Sequence, residues 1–60
     1  MSNPATPKDP DLTADYARID SALAINYPLW KIESGIREDE RLTTGHVNTL
    51  IAYAREKAAS

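Results

Sequence analysis

Apolar residues along this chain fall into three blocks, and each block carries a helical spacing. In the first, Leu12, Tyr16, Ile19 and Leu23 are spaced four, three and four, which lays a single stripe along one side of a helix. Asp15, Arg18 and Asp20 fall off that stripe and read as a solvated face. In the second block Leu29, Ile32 and Ile36 recur at offsets of three and four and share a face. In the third, Val47, Leu50, Ile51 and Ala54 form one face with Tyr53 on its flank.

The punctuation between blocks sets their limits. Tyr27 precedes Pro28, and the residue before a proline is pushed towards extended backbone, so the first helix should stop by Asn26 or Tyr27. Pro28 suits the first turn of a second helix, where a missing N–H leaves no bond unmade. That helix is expected over 28 to about 37, with Gly35 standing where it would end. Residues 38–41, EDER, read as a polar connector, after which Thr43 or Thr44 caps a third helix whose early turns are softened by Gly45 and Asn48. Asp9 or Asp11 offers a capping carboxylate to the first helix, with Pro10 at its first position in the former case. One pattern competes: Trp30, Ile32, Ser34 and Ile36 alternate with Lys31, Glu33, Gly35 and Arg37, as in a strand. No second strand is present to pair with it, so the helix is favoured. Residues 1–10, MSNPATPKDP, hold three of the four prolines and no apolar period, and are expected to form a disordered tail. The expected fold is all-α, a single three-helix domain over residues 11–60.

Composition then narrows the function. A chain of 60 residues makes one small domain, which buries only roughly 60% of its unfolded surface. It contains no cysteine, so disulfides and thiolate metal sites are excluded, and the single histidine, His46, cannot build a zinc site by itself. A net charge of −2 and a pI near 5.1 leave no overall positive field to attract nucleic acid or anionic membrane. There is no apolar run of about 18 residues and no charged leader followed by an apolar stretch, so the expected location is the cytoplasm. No glycine-rich phosphate loop is present, and His46 has no partner at a triad spacing. Glu38, Asp39 and Glu40 lack the alternation and glycine turn of a calcium loop and read as a solvated turn. Catalysis, a metal and a cofactor are therefore not expected. Arg55 and Lys57 suit the C-terminal end of the third helix through the helix dipole alone.

The stretch ALAINYPLWKIESGIR, residues 22–37, resembles the core of the phage-repressor helix-turn-helix class of Cro and XRE type, including its short YdaS-like members. Ala22 and Leu23 match the end of that family's first motif helix. Ile32, Glu33, Gly35 and Arg37 match its Ile-Glu-x-Gly-x-Arg ending, and RLTTGHVNTLIAYARE resembles the helix packed behind, so the similarity covers about residues 12–57. Ala24 stands where the family's turn carries glycine, and residues 38–40 look like an insertion. The resemblance implies a helix-turn-helix-like domain that binds double-stranded DNA as a transcriptional regulator of phage or plasmid type. It also implies a homodimer, because the helix that usually precedes the one near Leu12 is missing and its stripe is left partly uncovered. In that motif the N-terminal end of the second helix meets base edges. Asn26, Tyr27, Trp30, Lys31 and Ser34 would then face the groove, Asn26 towards adenine and Lys31 towards guanine, while Arg37, Arg41, Thr43 and Thr44 hold phosphates. The alternative is a helical protein-binding module, an inhibitor or assembly subunit, anchored through Trp30, since an exposed indole is typical of protein–protein hot spots. A place in the core or in a dimer interface is the further possibility for Trp30.

Overall fold

The computed structural model describes residues 12–60 and consists of three helices, α1 (Thr13–Ala24), α2 (Leu29–Arg37) and α3 (Thr44–Ala59). No strand occurs among the described residues, so the alternating pattern around Trp30 to Ile36 folds as helix. The expected tail and the capping candidates Asp9 and Asp11 lie outside the described residues.

Each helix turns its predicted face inward. Ile19 of α1, Ile32 and Ile36 of α2, and Leu50, Ile51 and Ala54 of α3 form the buried core, with Leu50 and Ala54 fully enclosed. Leu12, Tyr16 and Leu23 of α1, Leu29 of α2 and Val47 and Tyr53 of α3 pack around it. The α1 stripe is thus only partly covered within the monomer, mainly by α3, which also backs α2: Ile19 is buried while Leu12, Tyr16 and Leu23 stay half-buried. Leu42, in the connector, packs on the same core although no period announced it. Across α1 and α3 the Tyr16 and Tyr53 rings meet edge to face at 4.6 Å, and the Tyr53 hydroxyl donates to Asp20 at 2.8 Å.

The joint between α1 and α2 shows why the chain turns there. The Asn26 N–H donates to the Leu23 carbonyl at 3.0 Å and the Tyr27 N–H to the Ala22 carbonyl at 2.9 Å, the paired bonds of a Schellman ending. This ending needs one left-handed residue, and Asn26 supplies it with φ 61°. Asparagine tolerates that region better than most residues. Pro28 follows in extended conformation (φ −60°, ψ 132°) and acts as the N-cap, so α2 begins at Leu29, one residue later than expected. Gly35 lies inside α2 rather than at its end: the helix continues to Arg37, where the Glu38 N–H closes the last turn onto the Ser34 carbonyl at 3.0 Å. Thr43 is the cap of α3, its hydroxyl accepting from the His46 N–H at 3.2 Å.

Among the described residues two carboxylates are buried, and one of them corrects the expectation of a solvated face. Asp15, 8% exposed, sits under the connector, 3.3 Å from Arg18 Nη1 and 3.5 Å from Arg41 Nη2. Glu33, also 8% exposed, is gripped by Arg55 through two bonds of 2.7 and 2.9 Å, with Arg37 at 3.3 Å. Burying a charge is expensive unless it is paired and hydrogen-bonded, and both groups are. Arg55 is therefore more than a dipole partner: its fork fixes how α2 sits on α3. Among the described residues no buried side-chain nitrogen or oxygen lacks a hydrogen-bond partner.

Candidate binding site at the α1–α2 corner

With Leu29, Ile32 and Ile36 facing the core, positions 30 and 31 of α2 must point outwards. The left-handed turn at Asn26 and the extended Pro28 bring Tyr27 to the same corner. Among the described residues, Ile25, Tyr27 and Trp30 are the large hydrophobic residues left exposed, at 74%, 44% and 68%. The indole is therefore not a core aromatic. Lys31 lies beside the two aromatics, its Nζ 5.7 Å from the Trp30 ring centroid and 5.8 Å from that of Tyr27, within the range of cation–π attraction.

Lys31 is distinctive in charge as well. Among the described residues every other lysine or arginine has a carboxylate within 4 Å: Arg18 has Asp15, Arg37 and Arg55 share Glu33, Arg41 has Asp39 and Asp15, and Lys57 has Asp20. Arg41 binds Asp39 through its side chain at 2.7 and 3.0 Å and through its backbone N–H at 3.0 Å. These bonds hold the Asp39 carboxyl down to about 2 and push the Arg41 guanidinium above its ordinary value. The expected solvated turn is, at Asp39, a closed ion pair. Glu33 is likewise lowered from the usual carboxylate value, chiefly by its hydrogen bond from Arg55.

The residues proposed from sequence thus divide. Tyr27, Trp30 and Lys31 come together on one exposed corner, with Asn26 beside them in its structural turn. Ser34 is half-buried and its hydroxyl reaches Glu38 at 3.5 Å. Arg37 and Arg41 are drawn to carboxylates, while Thr43 and Thr44 start α3, Thr43 with its oxygen 2.7 Å from His46 Nδ1.

Beside the corner a cleft of about 280 Å³ opens between α1 and α2. Ile19, Ala22, Ile32, Ile36 and Leu42 give it an apolar floor, and Tyr27, Lys31 and Gly35 lie along it. Small-molecule sites usually run from roughly 300 to 1,000 Å³, so this cleft suits one inserted side chain better than a cofactor. Ile25, Gly35 and Leu42 were not singled out for this site from sequence. The available signal was Ile25 itself, an aliphatic residue off the α1 stripe and inside a turn. Among the described residues no group of histidine, cysteine, aspartate and glutamate could hold a metal ion, and no helix is long and apolar enough to cross a membrane. The chain matches no protein-family model, no curated protein and no solved structure.

Proposed function

We propose that this protein is a small helical protein-binding module that docks a partner through the α1–α2 corner. The observation that carries this function is the gathering of two exposed aromatics, Tyr27 and Trp30, around Lys31 on one corner, with Ile25 exposed in the same joint between α1 and α2. Apolar residues scattered singly over a surface are ordinary, but two exposed aromatics brought to one cation have the composition of an interface centre. Electrostatics points the same way. Between residues 26 and 44 three cations stand against four carboxylates, and the two arginines are already engaged. Panning a random peptide library on the immobilised protein tests this function, with Trp30→Ala as control. Enrichment on the wild type that the Trp30→Ala protein loses supports docking; equal recovery on both refutes it.

A second function, a DNA-binding regulator of the Cro/XRE helix-turn-helix type, is favoured by the order of α1, a four-residue joint and α2, with Asn26 and Lys31 exposed near the start of α2. Surface ion pairs are worth only about 0 to 1 kcal/mol, so Arg37 and Arg41 can exchange carboxylate for phosphate. Binding to random duplex DNA measured over a salt series decides it. Counterion release demands a steep loss of affinity with salt, and a flat or absent response removes this function.

A further inference from the structure

Resting on the docking function proposed above, we propose a partner chemistry: an acidic segment that inserts one apolar anchor side chain into the cleft between α1 and α2 and sets a carboxylate against Lys31. Gly35 is the first observation. A glycine inside a helix costs about 1 kcal/mol relative to alanine. Nothing among the described residues requires it, because its φ is not left-handed and a Cβ built there meets none of them within 4 Å. The open space lies along the cleft, so the missing side chain leaves room for something that comes from outside. Glycine is the residue that permits such close approach.

Size and charge define what comes. A cleft of about 280 Å³ with an apolar floor holds a single large side chain. Two carboxylates line it, Asp15 and Asp39, but arginines hold both. Lys31 stands along it with aromatic rings for neighbours and no carboxylate within 4 Å among the described residues. The unmet charge at the cleft is therefore positive, and its complement is an anion carried next to the anchor. A second copy of this chain meets that need poorly, because a two-fold contact at this corner brings Lys31 towards its own copy. Since the whole chain is acidic, recognition is local, made by contact rather than by long-range steering.

The same peptide selection, run on wild type, Gly35→Leu and Lys31→Glu, tests this chemistry. Wild type should enrich peptides carrying Leu, Ile, Phe or Trp with Asp or Glu a few residues away. Gly35→Leu fills the cleft while favouring the helix, so its circular dichroism should stay helical and its affinity for an enriched peptide should fall about tenfold or more, ~1.4 kcal/mol or above. Should leucine unfold the chain, Gly35→Ala takes its place, with a smaller loss expected. Lys31→Glu should turn enrichment towards lysine- or arginine-bearing peptides. Neutral or basic peptides on wild type, or undiminished affinity in the folded Gly35 variant, overturn the proposal. Dimers in sedimentation that the Gly35 variant dissociates would name a second copy as occupant, and displacement of peptide by duplex DNA would name nucleic acid; either result overturns it too. Absence of any enrichment above the Trp30→Ala control refutes the docking function itself.

Discussion

Asn26 joins the local backbone to the candidate site in one residue. Its left-handed φ of 61° closes α1 and swings Tyr27 outward, so its side chain is not the first reason for its identity. Asn26→Gly should be neutral or slightly stabilising in urea melts, Asn26→Ala should cost about 1 kcal/mol, and Asn26→Val more. Two other residues set the response to acid. Glu33 and Asp39 have carboxyl pKa values depressed by Arg55 and Arg41. A depressed folded value means that the contribution is present above the unfolded value and is lost as pH falls through the folded one. Melting temperature should therefore hold above about pH 5 and drop below about pH 4, with Asp39 titrating down to about 2. Glu33→Gln should melt lower at neutral pH and lose part of that slope, so that its curve approaches wild type in acid.

At the scale of elements, helix faces were legible and helix tertiary ties were not. The stripes from Leu12, Leu29 and Val47 onward point inwards as their spacing requires, because periodicity is a local property that burial reads directly. Glu33 and Arg55 are 22 positions apart, and Asp15 and Arg41 are 26, so no short-range pattern announces either pair. The same limit hid the cleft, which exists only once α1 and α2 are set side by side. Boundaries moved for related reasons: Pro28 caps rather than begins α2, and Gly35 is carried within the helix by Ile36, which has a core to reach. The caps can be weighed directly. Thr43→Ala should lower stability by about 1 kcal/mol, since it removes the acceptor for the His46 N–H. Gly35→Ala should raise stability by about 1 kcal/mol in thermal or urea unfolding, with no clash to offset the gain.

The whole molecule separates a core that holds it together from a corner that contributes little to its stability. At roughly 0.05 to 0.15 kcal/mol per residue, a chain of this size has only a few kcal/mol in hand. Leu50→Ala, at a fully buried position, should cost roughly 2 to 5 kcal/mol and leave the chain largely unfolded by circular dichroism. Trp30→Ala, at a position 68% exposed, should change stability by no more than about 0.5 kcal/mol. Ile19 is the buried member of the α1 stripe, while Leu12, Tyr16 and Leu23 stay half-buried, so the stripe keeps some apolar surface that a second copy could cover.

The position of the lone tryptophan also decides what light can report. Trp30 is wet in the folded chain and wet when unfolded, so its fluorescence should stay near the emission of free indole through a denaturant titration and hide the transition. The interlocked Tyr16 and Tyr53 rings carry the folding signal instead, in the near-ultraviolet dichroism. An occupant of the corner that shuts out water would move the emission to the blue with no change in tyrosine dichroism. In this chain, one chromophore reports folding and another reports company.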